Sequence, residues 1–207
     1  MYRIYTTRGF VVSGRPYGEA SATLTLLTED LGVVRARAQA VRGLASKLRY
    51  GLQSLSRGAF SLVRGREVWR LTSVSPCDQA SQNYTTDFPK QRGLTPFSSF
   101  ATRALFARVL ALVERLVHGE EEDRRLFALV EECHELLQEE GLSSVELRCL
   151  ELLITARILD HLGYIAPAPS IPAVRALKVT KKVLSSVGGH ERDLARVIEV
   201  ALQASQL

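Results

Sequence analysis

The sequence predicts an α+β protein of two domains, a five-stranded barrel at residues 1–75 followed by an all-α helical bundle at residues 97–207. Two observations predict this order. Through the first third of the chain, apolar residues alternate with polar ones and turn residues separate the alternating stretches. After residue 96 the apolar residues recur every three or four positions, which is typical of amphipathic helices. The polar stretch 76–96 between them is predicted to be a linker.

Five short strands make up the predicted barrel. They are residues 5–13, before a turn at Gly14–Gly18, then Ala20–Thr28, Val33–Val41, Leu52–Val63 and Glu67–Ser75. The period of two directs Trp69 and Leu71 into the core and places Arg35 and Arg37 together on the opposite face of their strand. Five strands with two long hairpins favour an OB-fold, whose strands and loops bind oligonucleotides.

Positive charge is concentrated in the predicted barrel. Residues 1–75 hold twelve Lys or Arg and four acids, a net +8, whereas residues 76–207 carry −3. No acid occurs between Asp30 and Glu67, although eight basic residues do. Such a field suits a polyanion, and the alternative is a solvated basic surface without a partner.

Nine basic residues of this region are predicted to contact nucleic acid through phosphates, without reading sequence. They are Arg15, Arg35, Arg37, Arg42, Lys47, Arg49, Arg57, Arg64 and Arg66. Tyr17 and Tyr50 are candidates for stacking on bases, although an exposed tyrosine beside a turn more often packs against its neighbours.

Helical spacing continues from Leu105 to the C-terminal region. The first predicted helix carries Leu105, Val109, Leu112 and Leu116, and the second carries Leu126–Leu137 after the acids Glu120–Asp123. The third begins at a capping box of Ser143 and Glu146 and ends near Leu162. After the Pro-rich break Pro167–Pro172, two further helices are predicted, Ala173–Val187 and Glu191–Ala204. Cys133 and Cys149 are predicted core residues. The acidic surface of this domain makes it a poor site for a polyanion.

Catalysis, metal binding and membrane insertion are not predicted. The chain has no GxSxG, HExxH or phosphate-binding glycine loop, and Cys77, Cys133 and Cys149 lack metal-ligand spacing. Neither a run of ~18 apolar residues nor the apolar stretch of a signal peptide occurs. We therefore expect a cytoplasmic protein that is not an enzyme and needs no metal or cofactor.

Three groups of residues carry a resemblance to a known family. The first group, which resembles the N-terminal signature of the RecO family of bacterial recombination mediators, is Gly9–Val12, Arg15–Ala20 and Leu26–Val33. The second resembles the basic segment of that family and the strand after it, and consists of Arg42, Ser46–Arg49, Gly51–Gln53 and Trp69–Leu71. The third, Arg157–Tyr164 with Pro167, resembles the helical Leu-Gly-Tyr pattern of the family. The family also has a barrel followed by a helical domain.

The resemblance implies a non-enzymatic protein that binds single- and double-stranded DNA and anneals complementary strands. It further implies that, with the partner RecR, the protein helps RecA replace the single-stranded-DNA-binding protein in recombinational repair, associated with the nucleoid when bound to DNA. Many relatives carry four zinc-ligating cysteines after the Leu-Gly-Tyr pattern. Residues from Ile165 onward have none, which predicts a short, zinc-free version. Gln39 and Ala40 stand where the family commonly has Lys and Gly.

Docking of the acidic C-terminal tail of the single-stranded-DNA-binding protein on the helical domain is also implied. Such a tail is repelled by Glu120–Asp123 and by Glu131, Glu132 and Glu135, and needs basic residues beside an apolar groove. Arg108 and Arg115 on the first helix and Arg148 and Arg157 on the third are the candidates. Alternatively, these arginines are solvated or pair with Glu114 and Glu151.

Two other functions fit the same sequence. An OB-fold that prefers RNA has the same charge pattern. A helical protein–protein adaptor would instead act through the second domain, and reversing the charges from Arg35 to Arg49 would then leave its function unchanged.

Overall fold

The computed structural model of the 207-residue chain describes residues 3–39, 41, 51–76, 97, 99–139, 141–165, 174 and 178–205. Several predictions fall outside the described residues. They concern Arg42, Lys47, Arg49, Tyr50, Ala40 and Cys77, the linker beyond Pro76, and the Pro-rich break Pro167–Pro172.

The N-terminal part is a closed barrel, as the alternation predicts. Its strands are β1 (Ile4–Tyr17), β2 (Ser21–Thr28), β3 (Gly32–Ala38), β4 (Arg57–Arg64) and β5 (Trp69–Pro76). They close in the order β1-β2-β3-β5-β4, with β3 and β5 parallel and the other pairs antiparallel. The predicted five-stranded barrel within an α+β protein is confirmed.

The first strand is longer than predicted. It continues through Gly14 to Tyr17, and the turn lies at Gly18, whose φ of +62° favours glycine. β1 pairs with β4 through its first half and with β2 through its second, with a register shift between Val11 and Ser13. This bulge lets one strand serve two neighbours around the barrel.

The fourth strand begins at Arg57, not at Leu52 as predicted. Leu55 has a φ of +74°, which interrupts extended backbone. The Ser56 hydroxyl donates to the carbonyls of Gly51 and Gln53, at 2.8 and 2.7 Å. Residues 51–55 therefore form turns ahead of the strand, although Leu52 still packs in the core.

The barrel core confirms the predicted inward positions. Leu24, Leu26, Val34, Ala36, Phe60 and Leu62 are buried, together with Trp69 and Leu71. The Tyr5 ring packs edge-on against Trp69 with centroids 5.3 Å apart. Because side chains alternate along each strand, burial of these residues directs their polar neighbours outward.

Five helices are described after the barrel: α1 (Phe100–Leu116), α2 (Arg124–Gln138), α3 (Ser144–His161), α4 (Lys181–Val187) and α5 (Glu191–Ala204). Glu120–Asp123 precede α2 and are not helical. The fourth helix is shorter than the predicted Ala173–Val187, because Thr180 caps it by accepting from the Val183 N–H. None of the described helices has the length and apolarity that a membrane span requires.

The helical core contains both predicted cysteines. Cys133 and Cys149 are buried, and burial raises the pKa of the Cys133 thiol. His134 is also buried and packs against the rings of Phe97 and Phe106, which contact each other.

The structure divides into two compact units, and each unit consists of two separate stretches of the chain. Val117–Arg124 belong with the barrel, whereas Phe97–Leu116 and the residues from Arg125 onward form the helical unit. The predicted domain boundaries at 75 and 97 stay a prediction.

Removal of the α3 cap is expected to destabilise the helical unit. The Ser143 hydroxyl accepts from the Glu146 N–H, and the Glu146 carboxylate accepts from the Ser143 N–H at 2.8 Å. We expect Ser143→Ala to lower the free energy of unfolding by about 1 kcal/mol in a urea titration.

Acid should weaken the same cap. The hydrogen bonds from Ser143 lower the pKa of Glu146 below its ordinary 4.5. A carboxylate with a depressed pKa stabilises the fold above its unfolded pKa, and that contribution is lost as the pH falls through the folded pKa. The difference between wild type and Ser143→Ala should therefore shrink below pH 4.5; a constant difference would contradict the capping box.

Candidate nucleic-acid interface

Cross-strand register places three arginines in one row on the outside of the barrel. Arg15 pairs with Thr23, Thr23 with Arg37, and Arg37 with Arg70, so the row crosses β1, β2, β3 and β5. Adjacent strands are about 4.8 Å apart, so the Arg15 and Arg37 backbones are separated by about 10 Å and those of Arg37 and Arg70 by about 5 Å. The barrel thus builds a row of cations from residues distant in sequence.

The flanking rows extend this surface without adding negative charge. Ser13, Thr25 and Arg35 form the row on one side, and Tyr17 pairs with Ser21 on the other. Arg35 and Arg37 are two residues apart on one strand, about 7 Å. We call the outward-facing side chains of these rows the basic face: Ser13, Arg15, Tyr17, Ser21, Thr23, Thr25, Arg35, Arg37 and Arg70.

An open cavity of about 440 Å³ adjoins the basic face. Arg37, Arg66 and Arg70 line it together with Gln39, Gly65, Glu67 and Val68. Glu67 is the single acid of this lining, so the cavity has an excess of positive charge. Guanidinium groups around a concave surface suit the oxygens of a phosphate.

Arg37 is the residue that joins the cavity to the aromatic end of the basic face. Its guanidinium carbon lies 3.8 Å from the centroid of the Tyr17 ring, a cation–π contact. Its Nε is buried and has no hydrogen-bond acceptor among the described residues. Tyr17 itself is 48% exposed.

Two predicted contact residues lie away from the basic face. Arg64 donates to Glu120 at 2.6 Å and lies over the Trp69 ring. Arg57 lies beside Phe10, with the guanidinium carbon 5.9 Å from the ring centroid.

Arg57 is close enough to Glu29 to affect that carboxyl. The pKa of Glu29 is lowered chiefly by the hydrogen bond from Arg8 and to a smaller degree by the charge of Arg57. Of the predicted contact residues that the structure describes, Arg15, Arg35, Arg37 and Arg66 therefore lie on the basic face or in the cavity beside it, whereas Arg57 and Arg64 do not.

Arg70 is a member of the site that the sequence analysis missed. It lies between the inward-facing Trp69 and Leu71, so the alternation alone directs it outward. Arg70 lies next to Arg37 because β3 pairs in parallel with β5, and no local sequence pattern reveals that pairing.

Arg64 and Arg37 should differ in their effect on binding. The Glu120 carboxylate already neutralises Arg64, whereas the described structure gives Arg37 no acidic partner. We expect Arg64→Ala to change affinity for single-stranded DNA less than about twofold, and Arg37→Ala to lower it about tenfold. Fluorescence anisotropy with a labelled oligonucleotide measures both; equal losses would show that Arg64 also contacts the strand.

The helical arginines do not form one open groove. Arg157 is buried, with 9% of its side chain exposed, and donates to Glu132 at 2.8 Å. The expectation that Arg157 is accessible is therefore wrong. Arg148 and Arg157 are nine residues apart, about half a turn out of phase at ~100° per residue, so they cannot share a face.

Glu132 is likewise not the surface acid that the sequence analysis assumed. Its second carboxylate oxygen accepts from the Val179 N–H at 2.6 Å, so the side chain ties the segment before α4 to α2. Its side chain is 14% exposed.

The other three candidate arginines are exposed. Arg108 donates from its Nε–H and Nη2–H to the Glu151 carboxylate, which raises the pKa of Arg108. Arg148 lies 3.4 Å from Glu191. Pairing with Glu151 is the alternative that the sequence analysis left open. Arg108 and Arg115 are seven residues apart and share one face of α1.

No cluster of three or more His, Cys, Asp or Glu suited to a metal ion occurs in the part of the chain that the structure describes. Two of the consecutive acids Glu120–Asp123 have separate partners: Glu120 binds Arg64, and Glu122 binds Arg124.

Comparison with known proteins assigns the barrel to a family. Residues 1–80 match the family described as recombination protein O, N terminal. The barrel is therefore similar to the N-terminal domain of the RecO family. The resemblance in the sequence is thereby confirmed, and the closed five-stranded barrel agrees with it.

Several relatives named DNA repair protein RecO match this chain. The protein of Heliobacterium modesticaldum is 37% identical over 76 residues, which are 37% of this chain and 28% of the relative. Those of Alkaliphilus metalliredigens and Roseiflexus are 27% and 29% identical and cover 76% and 78% of this chain, but 57% and 51% of their own lengths. The matched regions thus span from 28% to 57% of the lengths of these RecO proteins.

Proposed function

We propose that this chain, like the RecO proteins it resembles, acts in DNA repair and recombination by binding single- and double-stranded DNA on the basic face and annealing complementary strands. The action needs no catalytic group, because a surface that neutralises two strands reduces their mutual repulsion. The match of residues 1–80 to the N-terminal domain of the family and the names of the relatives support the role in repair.

The observation that carries this proposal is the row of Arg15, Arg37 and Arg70 across the barrel. Together with Arg35 and Arg66 they form five exposed or half-exposed cations with no acidic partner among the described residues. Phosphate contacts of this kind position a strand but do not read its sequence. The basic face is therefore suited to any single strand, as annealing requires.

The proposed partners follow from the family. We infer that RecR joins this chain to help RecA replace the single-stranded-DNA-binding protein on nucleoid DNA in the cytoplasm. The acidic tail of that protein needs accessible cations on the helical unit. Arg108 and Arg115, on one face of α1, and Arg148 at the start of α3 remain proposed contacts, whereas the buried Arg157 does not.

A strand-annealing assay tests the proposal. Two complementary oligonucleotides, one labelled with a donor and one with an acceptor fluorophore, are mixed with the protein in the presence and absence of the single-stranded-DNA-binding protein. We expect faster annealing in both cases, and no acceleration would contradict the proposed function. Competition with an RNA oligonucleotide of the same sequence distinguishes a DNA-binding from an RNA-binding barrel.

A further inference from the structure

The Tyr17 ring has the geometry of a stacking surface that one cation holds in place. Tyr17 ends β1 on the basic face, next to the row of Arg15, Thr23 and Arg37. The Arg37 guanidinium lies 3.8 Å from the ring centroid, and a planar cation covers one face of a ring at a time. With 48% of the residue exposed, the ring still offers surface to a ligand.

Arg37 also supplies an indication that the ligand carries a phosphate. The same residue lines the cavity of about 440 Å³ together with Arg66 and Arg70. A ligand with phosphate oxygens would provide acceptors for the three arginines that line this cavity.

We propose that Tyr17 and Arg37 form a subsite for one unpaired nucleotide, with the base stacked on Tyr17 and the adjacent phosphate in the cavity of Arg37, Arg66 and Arg70. This inference rests on the proposed function, in which the basic face binds a single strand. The base and phosphate positions are joined by Arg37, which contacts the ring and lines the cavity.

The subsite gives the barrel a means of distinguishing single strands from duplex. Every base has a π-face, so stacking on an aromatic side chain tolerates any sequence. In a duplex that face is already covered by the neighbouring base pairs, and only the phosphates remain to be bound. Tyr17 therefore adds affinity for an unpaired strand alone, whereas the arginines contribute to both.

The test compares three ligands with wild type, Tyr17→Ala and Tyr17→Phe in fluorescence anisotropy. The ligands are an oligothymidylate, an abasic strand of the same length, and a duplex. Wild type should bind the oligothymidylate about tenfold more tightly than the abasic strand, equivalent to ~1.4 kcal/mol. Tyr17→Ala should lose that tenfold difference and keep its affinity for the abasic strand and the duplex. Tyr17→Phe, which retains the ring, should match wild type.

Each contrary result has a distinct meaning. If wild type binds the oligothymidylate and the abasic strand equally, the subsite is wrong while binding by the arginines stands. An equal loss on all three ligands in Tyr17→Ala also overturns the subsite, because the ring would then only position Arg37. No binding of any ligand by wild type would instead overturn the proposed function. Circular dichroism checks that the Tyr17 variants are folded. The comparison of the oligothymidylate with the abasic strand uses wild type alone, so it tests the subsite even if a variant does not fold.

Discussion

Replacing Arg15, Arg37 and Arg70 together with glutamate is expected to lower the affinity for single-stranded DNA by at least about 100-fold near 0.1 M salt. Three phosphate contacts of at least ~1 kcal/mol each account for this loss, since about 1.4 kcal/mol corresponds to tenfold. Repulsion by the new carboxylates adds to it. The three residues lie in one cross-strand row, so one strand loses neighbouring contacts at once.

A matched variant controls for net charge. Arg125, Arg192 and Arg196 are exposed on the helical unit, and changing them to glutamate alters the total charge by the same amount. That variant should bind DNA within about threefold of wild type, because the three residues are not part of the basic face and do not contact the bound phosphates. Similar losses in both variants would show that binding depends on net charge and not on the basic face.

Loss of the Arg157–Glu132 pair is expected to destabilise the helical unit strongly. Both side chains are nearly buried, at 9% and 14% exposure, and Glu132 also accepts from the Val179 N–H. Arg157→Ala would leave the carboxylate without its charge partner, and such changes cost about 3–5 kcal/mol. The exposed pair of Arg108 and Glu151 provides the comparison, because Arg108→Ala should cost less than about 1 kcal/mol.

Urea unfolding of the single and double variants measures this difference. The double variant Arg157→Ala, Glu132→Ala should lose less stability than the two single changes add up to, because it leaves neither charge alone. A cost for Arg157→Ala no larger than for Arg108→Ala would contradict the buried pair.

The barrel could be predicted because alternation reports directly on which side chains are buried. Trp69 and Leu71 lie in the core as that pattern requires. Strand ends were less predictable: Gly14 begins a turn by composition, but the bulge between Val11 and Ser13 lets β1 continue to Tyr17. The pairing between strands that are distant in sequence was not predictable either, because no local sequence pattern records which strands pair.

The candidate site was predicted in part for the same reason. Arg35 and Arg37 share a face by their spacing of two, but Arg70 joins them only through the parallel pairing of β3 with β5. Its charge predicts that Arg157 lies at the surface, and this is wrong. It lies in the buried run Ala156–Leu159, where α3 is covered on most sides, so the usual division into one apolar and one polar face does not apply.

The salt dependence of single-stranded DNA binding tests the phosphate-binding role of the basic face most directly. The basic face supplies four cations, Arg15, Arg35, Arg37 and Arg70, and the adjoining cavity supplies a fifth, Arg66. At about 0.7 per phosphate contact, the logarithm of the binding constant should fall against the logarithm of salt with a slope of about −3.5. The Arg15, Arg37 and Arg70 variant should have a slope shallower by about 2. A slope near zero for wild type, or the same slope for both proteins, would contradict binding of the strand on this face.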